Sequence, residues 1–218
     1  MILQFDRILP SLPYILEGIP VTLLYTLTSL TLGFFLGIIL AMMKVSHSQV
    51  FQWIGRIYTS IFRGTPLLLQ LTLIYFASPE ITGYKITPWE AGILTFSLNS
   101  AAYVSEIIRA GILAVDRGQT EAALSLGIPY PLMMKDIILP QAIRNILPAL
   151  VNESVDLLKE SALISVIGGA DILRRANVVA SEKYLYFEPL IVAGLLYYIL
   201  VMILSGLAKV LEKRMAQS

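Results

Sequence analysis

The chain has 218 residues, of which 56% are hydrophobic and 14% are charged, and its mean hydropathy is +0.75. Soluble domains carry about 25% charged residues, so this composition excludes an ordinary soluble protein and indicates one that lies in a membrane. The formal net charge of +1 gives no field that would attract nucleic acid. Cysteine is absent and His47 is the only histidine, which excludes disulfides, thiolate metal sites and paired-histidine metal sites.

Five apolar runs, taken in chain order, predict five membrane-spanning helices. A helix needs roughly 20 predominantly apolar residues to cross the hydrocarbon core. After a short interfacial helix before Gly18, spans are expected at about residues 19–43, 57–77, 89–115, 146–168 and 189–211. Gly33 and Gly37 form a small-xxx-small pair in the first span, which is expected to permit close packing against another helix. The chain is therefore predicted to be a single all-α integral membrane domain over residues 1–218.

The most polar long interval of the middle of the chain is residues 121–140, EAALSLGIPYPLMMKDIILP, and with its flanks it forms the central loop, about residues 117–145. Its first part favours a helix, and Gly127 suits a left-handed turn at the end of that helix. A second short helix is expected over residues 131–139, stopped by Pro140 because proline cannot continue a helix. Two short helices joined at a glycine predict a compact projection that fits a groove on a partner. An ordinary loop between two spans is the alternative.

The fourth span carries a stripe of charged residues that cannot face lipid. On a helix of 3.6 residues per turn, Asn152, Glu153, Asp156, Lys159 and Glu160 fall within an arc of roughly 120°. A single carboxylate at the bilayer centre costs about 2.5–3.5 kcal/mol. The stripe is therefore either the solvated face of a cytoplasmic helix or the lining of a translocation path. The span is long enough to cross the membrane only if it includes the stripe, which favours the second interpretation, and three acids against one lysine predict a cationic cargo.

Other polar residues give weaker signals. Arg63 and Thr65, in the sequence Arg-Gly-Thr-Pro, offer a guanidinium and backbone N–H groups to a carboxylate, although an arginine that reaches the inner headgroups fits equally well. Gln70 is expected to face the same cavity as the stripe. Glu106 and Arg109 are three residues apart and are expected to form a structural ion pair.

Orientation follows from the basic residues, which favour the cytoplasmic side. If the central loop is cytoplasmic, the inner side carries more lysine and arginine than the outer side, which predicts an N-terminus outside and a C-terminus inside. The inner residues are Lys44, Arg56, Arg109, Arg117, Lys135, Arg144, Lys209, Lys213 and Arg214, and the outer residues are Arg7, Lys85, Arg174, Arg175 and Lys183.

The central loop resembles the EAA loop of ATP-binding-cassette (ABC) importer permeases. It contains Glu-Ala-Ala, three residues, Gly, nine residues and Ile-x-Leu-Pro, which is that family's spacing. Nearly the whole chain is similar to the polar amino acid permeases of these importers, the histidine, glutamine and arginine type. The matching stretches are residues 22–41, 62–67, 102–109, 118–123, 139–144 and 157–163, the last with Ala162 where serine is frequent in the family.

The resemblance implies the type I ABC importer fold and several partners. These are ATPase subunits that bind ATP and Mg, a second permease subunit in a homodimer or heterodimer, an extracytoplasmic binding protein, membrane lipid and an amino acid. It places the chain in the cell membrane of a prokaryote, with the central loop docked on the ATPase as a two-helix coupling loop. The residues expected to couple to the ATPase are Glu121, Ala122, Ala123, Leu126, Gly127 and Pro140.

The predicted function is that of the membrane permease subunit of an ATP-driven importer of cationic amino acids such as arginine, lysine or histidine. The alternatives are a permease for polar or neutral amino acids of the glutamine type, and an ion-coupled secondary carrier. No catalytic residue is predicted, because the single histidine supports neither a Ser–His pair nor HExxH, and the chain lacks GxxxxGK[ST] for ATP. The residues expected to contact the substrate are Arg63, Thr65, Gln70, Asn152, Glu153, Asp156 and Glu160.

Overall fold

The computed structural model describes residues 3–216, with side-chain surroundings for residues 3–210, so Lys213 and Arg214 of the charge asymmetry lie outside the described side chains. All regular structure in this part of the chain is helical, as predicted. The helices are α1 (Phe5–Ile8), α2 (Leu12–Leu16), α3 (Gly18–Val45), α4 (Gln49–Gly64), α5 (Leu67–Thr72), α6 (Ser78–Thr82), α7 (Pro88–Leu113), α8 (Arg117–Ser125), α9 (Tyr130–Met133), α10 (Leu139–Glu160), α11 (Ile172–Lys183) and α12 (Phe187–Ala216). Residues Leu9–Ser11 and Ser161–Ile167 are 3-10 helices, and Leu73–Ala77 and Met134–Ile138 are π-helices.

Three helical stretches among the described residues are long and apolar enough to cross a membrane. They are Phe5–Val45 (α1 to α3), Pro88–Leu113 (α7) and Phe187–Val210 (within α12). A fourth is obtained if the bent pair Gln49–Gly64 and Leu67–Thr82 counts as one span. The remaining predicted span, residues 146–168, corresponds to α10 and the 3-10 helix after it. Its charges keep it below this criterion, so five spans stay a prediction.

Helices α3 and α7 form the most extensive contact of the bundle. A methyl group built on Gly37 would lie 2.6 Å from the Val104 side chain, and one on Gly33 would lie 2.9 Å from Ser100. Glycine at both positions therefore lets the two backbones approach, which confirms the close packing expected from the small-xxx-small pair.

The predicted second span, residues 57–77, is not a single straight helix. The helix begins earlier, at Gln49, and is broken between Gly64 and Leu67, where the two halves meet at 101°. Thr65 and Pro66 are extended at the break. The physical reason is Pro66, because the proline ring disfavours helical geometry at the residue before it.

The central loop has its first helix and its turn as expected. Asp116 caps α8 by accepting a hydrogen bond of 2.6 Å from the Gly118 N–H, and Gly127 has φ +70°. The prediction that Pro140 stops the second helix is wrong, because helical structure continues from Tyr130 through Pro140 into α10. The π-helix at Met134–Ile138 explains this result: one wider turn before a proline accommodates the ring and the missing N–H within the helix.

The loop is held to the bundle by its own apolar core. Buried side chains join it to the start of α10 and the end of α7; they are Val115, Ala123, Met133, Ile138, Ala142 and Ile146. The central loop is therefore a packed extension of α7 and α10.

Candidate functional site

The charged stripe of α10 forms one wall of a pocket. Glu153, Asp156 and Glu160 are three and four residues apart, so they lie on one face of the helix. Together with Tyr103 of α7 they line an open cavity of about 420 Å³. Its lining residues are Tyr103, Glu153, Asp156, Lys159, Glu160 and Leu163. We call this cavity the acidic pocket. Asn152 is exposed and is not among the lining residues.

Carboxylates outnumber cations in the acidic pocket. Lys159 Nζ lies 2.6 Å from Asp156 Oδ1, but the two side chains are 55% and 59% exposed, so water weakens this ion pair. Glu153 is half-buried and accepts a hydrogen bond of 2.8 Å from Ser100 Oγ of α7. Glu160 is also half-buried. The arrangement can hold a ligand cation against acceptor oxygens that are partly withdrawn from solvent.

Tyr103 also lines a second cavity, which has basic walls. This cavity, of about 470 Å³, is lined by Arg56, Thr59, Ser60, Arg63, Gly64, Tyr103 and Glu106. The guanidinium carbon of Arg63 lies 5.1 Å from the centre of the Tyr103 ring, within the range of a cation–π contact. Arg63 is therefore held at the border between the two cavities.

An ionic cluster lies beside this second cavity. Glu106 Oε2 lies 2.8 Å from Arg109 Nη2, which confirms the predicted pair. Glu106 Oε1 also accepts from Lys44 Nζ at 2.6 Å, and Lys44 donates to Ser105 Oγ at 2.8 Å. The Lys44 side chain is only 3% exposed. Sequence reasoning missed this partner, because nothing in the local pattern pairs a lysine at the end of one span with a glutamate in another.

Gln70 lies at the helix break and is buried, whereas it was expected to face the cavity. Its side-chain nitrogen donates to Phe62 O at 2.8 Å, to Thr65 O at 3.1 Å and to Thr65 Oγ1 at 2.9 Å. Asn99 donates to Phe62 O and to Gln70 Oε1, both at 3.1 Å. The two amides satisfy carbonyl groups that the break releases from the helix, a requirement wherever irregular backbone lies at membrane depth. Thr65 and Gln70 thus fix the backbone that carries Arg63.

The end of the central loop presents apolar side chains. Leu126 is 78% exposed, and Leu124, Tyr130 and Leu132 are also exposed. Ala123 is only 2% exposed because it packs inside the loop core. The other residues expected to contact the ATPase are also exposed; they are Glu121, Ala122, Gly127 and Pro140.

Comparisons with known proteins agree with this architecture. Residues 33–217 match the family model described as binding-protein-dependent transport system inner membrane component. The chain is 52% identical over 215 residues to the arginine transport system permease protein ArtQ of Bacillus subtilis, covering 99% of this chain and 98% of that protein. It is 55% identical over 206 residues to a putative glutamine transport system permease protein, GlnP, of Rickettsia felis, covering 94% of each.

A solved structure supports the same assignment. The crystal structure of an amino acid ABC transporter with histidines superimposes with a TM-score of 0.94 at 43% identity, covering 98% of this chain and all of that one. Members of the matched family are membrane permease subunits and not enzymes, and nucleotide binding belongs to a partner ATPase. The chain therefore belongs to the inner membrane components of binding-protein-dependent transport systems, as the permease subunit of an amino acid ABC importer.

Proposed function

We propose that this permease imports cationic amino acids and that Glu153, Asp156 and Glu160 bind the positive charge of the cargo side chain. The acidic pocket carries this proposal, since it has three carboxylates and one lysine. Hydrogen bonds between a guanidinium or ammonium group and a carboxylate are the strong, charge-assisted kind.

A neutral cargo of the glutamine type is the second candidate, because relatives are named for arginine and for glutamine. The Glu153 carboxylate favours a cation over this alternative. It is half-buried and has one hydroxyl donor, Ser100. A neutral amide would leave most of its charge uncompensated, whereas a cation would offset the cost of its partial desolvation.

The opposite end of the cargo meets Arg63. A guanidinium presents a planar fork of donors that matches a carboxylate, so Arg63 suits the α-carboxylate of an amino acid. Its position beside Tyr103 places it next to the acidic pocket. Thr65 and Gln70 act through the backbone of the break, and Asn152 stays outside the pocket lining.

The orientation and the assembly follow the family. The N-terminus is outside, the central loop is cytoplasmic, and five spans cross the membrane when α10 is included. The exposed apolar end of the central loop around Leu126 docks on the ATPase, and a second permease subunit, identical or not, completes the path. ATP drives alternating access because it favours one arrangement of the ATPase subunits over the other. A loaded binding protein then delivers its amino acid to the pocket.

The test is uptake by the reconstituted complex of permease, ATPase and binding protein with a panel of amino acids. Glu160→Gln is expected to reduce arginine and lysine uptake by roughly tenfold or more, since a hydrogen bond to a charged group contributes about 1.5–3 kcal/mol. ATPase co-purification is expected to be unchanged. The matched control is Glu182→Gln, an exposed glutamate on α11 outside the pocket. Equal loss of uptake and of assembly would make the stripe structural, and wild-type preference for glutamine would favour the second candidate.

A further inference from the structure

The acidic pocket, the cavity of Arg63 and a third cavity beside Lys44 adjoin through shared lining residues. We call the three together the groove, and the latter two its basic half. Tyr103 lines both the acidic pocket and the cavity of Arg63. Arg56 and Glu106 line that cavity and also a third one of about 500 Å³ beside Lys44. The groove therefore runs from carboxylates on α10, past one aromatic ring, to cations on α3, α4 and α7.

The basic half of the groove has a surplus of positive charge. It contains four cations, Lys44, Arg56, Arg63 and Arg109, against one carboxylate, Glu106, which leaves three positive charges uncompensated. Both Glu106 oxygens are already used, one by Lys44 at 2.6 Å and the other by Arg109 at 2.8 Å. Within the part of the chain whose side chains are described, neither Arg56 nor Arg63 forms an ion pair.

Arg56 is positioned to act with Arg63. The two residues are seven apart on α4, so they share a face of the helix with Ser60 between them, and all three line the same cavity. Arg56 Nη2 donates to Gln52 Oε1 at 3.1 Å, which leaves the other guanidinium N–H groups available to a ligand. An anionic group that entered this half would be attracted by two guanidinium groups.

We propose that the groove selects for a dipolar ligand, and that Arg56 is a specificity-determining residue that makes the α-carboxylate of the amino acid a requirement. This inference rests on the proposed cationic cargo and extends it. A ligand that has a cation and no carboxylate gains affinity from the acidic pocket but is repelled by the basic half. A unit charge at a separation of about 10 Å changes affinity by roughly two- to fourfold in a solvated protein groove. An amino acid with a cationic side chain is attracted at both ends.

The experiment compares L-arginine with agmatine, which has the same guanidinium and no carboxylate. Binding is measured by titration calorimetry on the purified permease–ATPase complex without the binding protein, so that only the groove selects. L-arginine is expected to bind at least tenfold more tightly than agmatine. Arg56→Gln is expected to weaken L-arginine binding about twofold to fourfold and to leave agmatine binding unchanged or tighter. Arg56→Lys should retain most of the L-arginine affinity.

The matched control is Arg174→Gln, an exposed arginine on α11 outside the groove, which should change neither ligand. Equal binding of L-arginine and agmatine to the wild type would overturn the inference and leave the proposed cargo standing. Equal weakening of both ligands by Arg56→Gln, or the same effect from Arg174→Gln, would also overturn it. If L-glutamine bound and neither L-arginine nor agmatine did, the proposed cargo and this inference would both be overturned.

Discussion

Replacing Glu106 by glutamine is expected to destabilise the permease more than any other single charge removal in the basic half of the groove. The reason is Lys44, whose side chain is 3% exposed and whose ammonium lies 2.6 Å from Glu106. Glu106→Gln removes the negative charge that compensates this ammonium and leaves it only neutral acceptors, the new amide oxygen and the Ser105 hydroxyl. Removing one partner of a buried ion pair costs about 3–5 kcal/mol, and the low end applies here because Glu106 itself is 23% exposed.

A loss of about 3 kcal/mol corresponds to a fall of about 6–12 °C in the unfolding midpoint for a domain of this length. The assay heats the detergent-solubilised complex and follows the fraction of permease that stays soluble by immunoblot. Arg109→Gln is the matched control, because the Arg109 side chain is 41% exposed and its pair with Glu106 should contribute about 1 kcal/mol or less.

The double variant Lys44→Met with Glu106→Gln should recover most of the stability, since it removes the buried charge as well as its partner. Equal midpoints for Glu106→Gln and Arg109→Gln would refute the reasoning. So would a double variant no more stable than Glu106→Gln alone.

Three further substitutions test other parts of the fold. Gly37→Val should prevent close packing of α3 on α7 and abolish accumulation of folded permease in membranes, because even a methyl group there would meet Val104 at 2.6 Å; normal yield would contradict the packing. Gln70→Met should lower the midpoint by roughly 2–12 °C, since the Phe62 and Thr65 carbonyls lose a donor at a cost of about 1–3 kcal/mol. An unchanged midpoint would mean that water replaces the amide. Gly127→Val places a branched side chain at φ +70°. It should reduce transport-coupled ATP hydrolysis while the unfolding midpoint of the permease stays within about 2 °C of the wild type; full coupling would show that the turn tolerates strain.

The central loop was largely predictable because its signals are local. A glycine after a helix-forming run indicates a left-handed turn, and Gly127 has one. The stripe of α10 was also predictable, since the spacing of Glu153, Asp156 and Glu160 fixes a shared face as soon as the segment is helical. The prediction that Pro140 ends the helix is wrong because a π-turn can accommodate a proline within a helix. Whether such a turn forms depends on the packing around the loop and not on the proline itself.

The helix break and the ionic cluster depend on contacts between distant residues. Pro66 predicts an interruption of the helix, but it does not predict that Asn99, on another helix, donates its amide to Phe62 O at the break. The pairing of Lys44 with Glu106 likewise requires the α3–α7 contact. Apolar length and periodicity describe one segment at a time and give no information about contacts between segments. The burial of Gln70 at the break, rather than in the cavity, therefore could not be predicted from them.

The continuous helix through Pro140 has a mechanical consequence. From Tyr130 to Glu160 the chain is helical without a break, a rod of roughly 45 Å at 1.5 Å per residue. One end of this rod is the central loop, which is proposed to dock on the ATPase, and the other end bears the carboxylates Glu153 and Glu160. A stiff lever of this kind would convert a tilt at its base into a displacement at its tip with no flexible joint in between.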